Sequence, residues 1–206
     1  MSKLKDKGNF IEWSKDQIED YTDLQSDIRK YMEKWNIRDK DTVIQEGEDM
    51  MVGRMLGFIK CNDGKHGWDC SNESETKFLE VKQSSWEVDQ NSATFNDTTL
   101  AKALEFCEEN TYVGLSVSSS KGIEFIVFGS EPTLGEMLAE KVKNRKPGSR
   151  STPSMSIKAL IEIGYDVCIP SEDKRDMVYD RLSKSRSIKK LLAKEDIKLI
   201  EDVKVK

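Results

Sequence analysis

Apolar residues recur at every third or fourth position from residue 14 to residue 35. Ile18, Tyr21, Leu24, Ile28, Tyr31, Met32 and Trp35 fall on one side, with charged residues between them. That period predicts an amphipathic helix, closed by the polar run NIRDKD. A second helix is expected over TVIQEGEDMMVGRMLGFI, with Ile44, Met51, Met55 and Leu56 on one side; Gly47 and Gly53 count against it. CNDGKHG reads as a turn. The period then shortens. Residues 67–70 and 77–83 read as a short and a longer strand around the polar turn SNESE. Residues 96–109 predict a helix capped by Asn96 or Asp97, with Leu100, Leu104 and Cys107 inward. TYVGLSVS and IEFIVFG, rich in β-branched and aromatic residues and separated by SSKG, predict a hairpin. Thr133 and Glu136 have capping-box spacing for a helix from Leu134 to about Asn144. KNRKPGSRSTPS is a loop, SIKALIEIG a short helix ending at Gly164, and YDVCIP a strand. The last thirty-odd residues predict one or two basic amphipathic helices.

This order implies an α/β (α+β) fold: a mixed central sheet flanked by helices, with N- and C-terminal helical segments. A length of 206 residues suits one domain. Its expected parts are an N-terminal helical region over 1–45, a core over 45–170 and a basic helical tail over 171–206.

Composition narrows the function. No apolar run approaches the roughly 18 residues that a membrane span needs, and MSKLKDKGNFIEW has no signal-like apolar segment. A soluble, intracellular (cytoplasmic) protein with no membrane partner is therefore expected. Four cysteines lack close pairs, which suits free thiols. Cys61, His66 and Cys70 have no C-x-x-C element and no evident fourth ligand, so zinc is set aside. His66 is the only histidine. That excludes chemistries built on several imidazoles and points hydrolytic chemistry toward carboxylates and a metal. Net charge is −5, but it is uneven: residues 1–140 hold 16 Lys+Arg against 28 Asp+Glu, whereas residues 141–206 hold 17 against 10. The basic C-terminal third suits contact with a polyanion.

The triplet [D/E]-x-K occurs six times and is uninformative alone. Only Glu80-Val81-Lys82 lies in an apolar strand pattern, FLEVK. Strand alternation puts Glu80 and Lys82 on one face and Leu79 and Val81 on the other. The SNESE turn can bring Asp69, at the end of the preceding strand, alongside Glu80. Two such carboxylates repel unless a cation lies between them, and Mg²⁺ accepts carboxylate and backbone oxygens. Lys82 would then position or help deprotonate a water that attacks phosphorus.

Asp69…Glu80-Val81-Lys82, after a helix carrying Glu46 and Glu48, resembles the PD-(D/E)XK nuclease superfamily, and within it type II restriction endonucleases. The likeness covers residues 45–168. STPSMSIKALIEIGYDV is similar to the loop, short helix and strand of small blunt-cutting members, whose loop reaches base edges in the major groove. Trp68 stands where the name-giving proline would be, and Asp63 competes with Asp69 as the first carboxylate. The resemblance implies a restriction-endonuclease-like fold and Mg²⁺, with Mn²⁺ able to substitute. It implies metal held by Asp69, Glu80 and the Val81 carbonyl, catalysis by Asp69, Glu80 and Lys82, and Glu48 as an additional metal-shell carboxylate. It implies hydrolysis of double-stranded DNA by a homodimer, with residues 14–45 in the two-fold interface. The same fold also serves DNA degradation, repair and resolution, or DNA binding without catalysis.

The loop KVKNRKPGSRSTPS has no acidic residue. Lys143, Arg145, Lys146 and Arg150 are expected on phosphates, with Arg150 also able to pair with guanine, and Ser151, Thr152 and Ser154 are expected on base edges. Gln83 and Ser84, just past Lys82, form a second polar stretch expected near the scissile phosphate.

Overall fold

The structure, a computed structural model, describes residues 10–12, 14–35, 42–62, 67–145 and 151–205. Asp63, His66, Lys146 and Arg150 lie outside the described residues, as do the side chains of Tyr31, Met32, Trp35, Ile44, Glu46 and Cys61. The chain runs β1 (Phe10–Glu12), α1 (Lys15–Trp35), α2 (Thr42–Met55), β2 (Lys60–Asn62), β3 (Cys70–Ser71), β4 (Phe78–Ser85) and β5 (Ser92–Thr94). It continues through α3 (Leu100–Glu105), β6 (Thr111–Ser119), β7 (Gly122–Gly129), α4 (Thr133–Lys143), β8 (Ser154–Ser156), α5 (Ile157–Glu162) and β9 (Asp166–Ile169). It closes with α6 (Arg175–Leu182), α7 (Arg186–Lys189), β10 (Lys198–Leu199) and α8 (Ile200–Val203).

Eight strands form one mixed sheet in the order β1-β2-β3-β4-β6-β7-β9-β10. The β4–β6 and β9–β10 pairs are parallel and the other pairs antiparallel. The fold is thus the mixed α/β class expected, a central sheet with helices on both faces. Strand alternation divides the core. Phe78, Val113, Leu115, Val117, Phe125 and Val127 pack one face under α3 to α6. Leu79, Val81, Ile126 and Phe128 pack the other under α2 and α8.

The two glycines that counted against α2 are places of close approach. A Cβ on Gly47 would lie 1.7 Å from the Tyr21 ring, and one on Gly53 would lie 2.3 Å from Cys70 Sγ. Only hydrogen at those positions lets α2 settle between α1 and the sheet. The helix stops at Met55, short of the residue 59 that periodicity suggests.

Other local expectations change. The helix expected over 96–109 is the shorter α3; Thr99 caps it, its hydroxyl accepting from Lys102 N at 3.2 Å. Asp97 instead takes a left-handed turn conformation with φ +50°. Ala103 and Phe106 are buried there, while Leu100 and Leu104 are exposed. Pro132 precedes α4 and no side-chain capping bond forms, so Thr133 and Glu136 make no capping box. Ser154, expected in the loop, and Ser156, expected in the short helix, are the ends of a strand, Ser154–Ser156, paired with β5. The tail is more than helices: β10 extends the sheet beside β9.

Candidate active site

β3 ends the pairing on one side of β4 early. Its register places Cys70 opposite Leu79 and Ser71 opposite Phe78, while on the other side β6 accompanies β4 from Phe78 to Ser85. From Glu80 onward, β4 therefore has an edge that no described strand covers. In a strand the N–H and C=O of one residue project to the same side. Those of Val81 project to this edge. Asp69 fills its near end: Asp69 N donates to Leu79 O at 3.0 Å, and Val81 N donates to Asp69 Oδ2 at 2.7 Å. The Val81 carbonyl accepts from Lys82 Nζ at 3.1 Å.

Glu80 and Lys82 project to the same face, as alternation requires, and Lys82 Nζ donates to Glu80 Oε1 at 2.9 Å. The ammonium also sits 5.6 Å from the centre of the buried Phe95 ring. Burial alone would lower the Lys82 pKa, but the carboxylates of Glu80, Asp69 and Asp49 outweigh it and hold the value above that of ordinary lysine.

Asp69, Glu80, Val81 and Lys82 are thus brought together, and a further residue joins them. Asp49, on α2, accepts from Gln83 Nε2 at 2.7 Å, and its carbonyl accepts from Cys70 Sγ at 3.5 Å. Burial first, and then the charge of Asp69, push the Asp49 pKa well above the usual carboxylate range. Asp49 escaped the sequence reading because α2 carries three acidic residues within four positions, and its weak apolar period does not fix which of them meets the sheet.

Glu48 points elsewhere. Its Oε2 accepts from Arg29 Nη2 at 2.6 Å, and its Oε1 accepts from Ser116 Oγ at 2.9 Å and from Ser118 Oγ. Both oxygens serve a buried clamp that joins α1, α2 and β6, with Arg29 Nη1 also donating to Ser119 O at 2.9 Å. The α2 carboxylate beside Asp69 is Asp49.

Gln83 and Ser84 are also engaged within the protein, Gln83 with Asp49 and Ser84 Oγ as acceptor from Asn91 Nδ2 at 2.8 Å. Lys143 is exposed at the end of α4. Arg145, Thr152 and Ser154 line an open concavity of about 550 Å³ with Glu140 and Lys141. Ser151 Oγ is buried without a hydrogen-bond partner. The strand after this loop lies against the active-site layer: Thr98 N donates to Ser151 O at 2.9 Å, and Phe95 N donates to Pro153 O at 2.9 Å. The ring of Phe95 is the one beside Lys82.

The donors at the β4 edge are all oxygens, namely the carboxylates of Asp69 and Glu80, the Val81 carbonyl and, from α2, Asp49. That set has the hard chemistry of Mg²⁺, which takes one or two carboxylates and keeps several waters. Among the described residues no three His, Cys, Asp or Glu side chains gather as a ready metal cage; the cation beside these carboxylates is the Lys82 ammonium. Among the described residues no helix is long and apolar enough to cross a membrane. The chain matches no known protein-family model and no curated protein sequence.

Proposed function

We propose that this chain is a Mg²⁺-dependent endodeoxyribonuclease of the PD-(D/E)XK kind, most like a type II restriction endonuclease, hydrolysing phosphodiester bonds of double-stranded DNA. The observation that carries this reading is the meeting of Asp69 with Glu80-Val81-Lys82 at a strand edge that no described strand covers. Asp69, Glu80 and the Val81 carbonyl would hold the metal, with Mn²⁺ an acceptable substitute, and Asp49 stands beside them. The ion, when bound, polarises the phosphate and eases ionisation of a water. Lys82 enters as an ammonium, since its carboxylate neighbours raise its pKa. It therefore orients a water or phosphate oxygen by donating to it. Thr152, Ser154 and Arg145 line a concavity suited to duplex contacts. The exposed Leu24 on α1, 54% accessible, suits a two-fold interface formed by the N-terminal region in a homodimer.

Incubation with plasmid DNA and Mg²⁺ tests this reading, with EDTA as control. Strand scission should require the metal. Glu80→Ala and Lys82→Ala should each lower cutting by roughly three orders of magnitude while duplex affinity stays within about tenfold. Undiminished cutting by either variant removes the site assignment. A ladder of defined fragments supports a restriction enzyme; a smear or junction-specific cutting supports degradation, repair or resolution. The closed Glu80–Lys82 pair at 2.9 Å also favours a second reading, a non-catalytic DNA-binding protein of this fold. That reading predicts binding with no scission under any divalent ion.

A further inference from the structure

We infer that the corner formed by the end of α6 and by α7 is a binding surface for the sugar-phosphate backbone of duplex DNA, separate from the loop after α4. The inference rests on the proposed nucleic-acid reading for the class of ligand, but not on catalysis.

Residues 181–194 hold six Lys or Arg and no acidic residue. The charges after Pro170 include two contrasting sets. Lys174, Arg175, Lys194 and Lys198 are neutralised by Glu124, Glu172, Asp176 and Asp166. Lys184, Arg186, Lys189 and Lys190 are exposed, and among the described residues none has an acidic partner. All four lie within seven consecutive residues. Ile188 packs against the core, which turns the charged positions of this short helix outward. Like charges held this close repel one another, and a polyanion relieves that repulsion.

The corner also lies on the side of the sheet that the proposed chemistry uses. Val178 and Leu182 of α6 bury in the same cluster as Phe78. Strand alternation puts Glu80 and Lys82 on the Phe78 face of β4. Arg181 then fixes the corner to that strand. Its guanidinium lies 4.2 Å from the centre of the Trp86 ring and donates to Val88 O at 2.6 Å and to Asn91 Oδ1 at 3.2 Å. Asn91 Nδ2 in turn donates to Ser84 Oγ at 2.8 Å and to Ser85 O at 2.7 Å. Ser85 is about 10 Å along the strand from Lys82. A duplex presenting one phosphate to Lys82 thus has other phosphates within reach of this corner, whatever its sequence.

The test is binding to a short duplex of arbitrary sequence, followed by fluorescence anisotropy in EDTA across a series of salt concentrations. The variants are K184Q/R186Q/K189Q/K190Q and, as a control for the change in net charge, K15Q/K30Q/K204Q/K206Q. The slope of log affinity against log salt should flatten by about 3.6 in the quadruple variant, near 0.9 for each phosphate that is no longer neutralised, and by less than about 1 in the control. The weakening should be equal for two duplexes of unrelated sequence. An unchanged slope in the quadruple variant overturns the inference, as does a wild-type chain that fails to bind duplex at low salt. Binding with the expected slopes but no Mg²⁺-dependent cutting leaves this surface standing and removes the catalytic reading alone.

Discussion

Asp49 and Glu48 are neighbours in one helix with different surroundings. Glu48 is buried against an arginine and two serine hydroxyls. Asp49 is half-buried beside Asp69, and desolvation of its carboxyl together with that neighbouring charge pushes its pKa well up. The consequence for stability has a definite sign. Near pH 4 the unfolded aspartate begins to ionise while the folded one still keeps its proton. The native state then binds more protons than the unfolded state, so Asp49 lowers stability as pH rises through that window, and the loss persists above it. Asp49→Asn keeps an oxygen for Gln83 and removes the titration. Thermal melts should show the variant more stable than wild type at neutral pH, with the gap narrowing below about pH 4. A gap that is constant with pH contradicts the raised pKa. Glu80 and Lys82 were legible in the sequence because strand alternation is a two-state rule: FLEVK leaves no choice of which side chains share a face. A helix offers no such rule for Asp49, since adjacent positions differ by only about 100° of rotation, and the partner that identifies it, Gln83, is remote in sequence.

Elements show the same division between local rule and remote contact. The long helix α1 and β4 were legible from period, and the β6–β7 hairpin from β-branched and aromatic composition around the SSKG turn. The two- and three-residue strands β1, β2, β8 and β10 were not, since they are too short to display a period and exist because a neighbour offers backbone partners; β3, expected over 67–70, lies at Cys70–Ser71. Leu100 and Leu104 misled for a related reason: their apolar spacing suggested an inward face, but α3 packs through Ala103 instead. In α2, Gly53 faces Cys70, which is fully buried. Intrinsic propensity favours alanine over glycine in a helix by about 1 kcal/mol. Here the new methyl would meet Cys70 Sγ at 2.3 Å, and overpacking of that kind costs about 1–3 kcal/mol. Gly53→Ala should therefore destabilise the fold in denaturant melts. Adding Cys70→Ala removes the obstructing sulfur, so the double variant should be more stable than the sum of its single changes predicts. Strict additivity places the close approach elsewhere.

At the scale of the molecule, the segment after Pro170 is part of the core rather than an appendage. β10 pairs with β9, Leu192 and Ile197 bury on one side of the sheet, and Ile200 buries on the other. Val205 N donates to Leu56 O at 2.9 Å, joining the end of the chain to the end of α2. The many lysines and arginines of this region suggested a basic helical tail, and charge patterning alone cannot reveal that single apolar residues between them are buried. Val178, Leu182, Leu192, Ile197 and Ile200 are each at most 6% exposed. Burying a side chain of this size contributes about 1.5–3 kcal/mol, so the five together supply roughly 7–15 kcal/mol. That matches the whole net stability of a typical domain, about 5–15 kcal/mol. A chain ending at Pro170 should therefore lose its near-ultraviolet circular dichroism and its cooperative melt, whereas the full chain should unfold in a single transition. A truncated chain that melts cooperatively within a few degrees of the full one would mean that the sheet is stable without the segment that closes both of its faces.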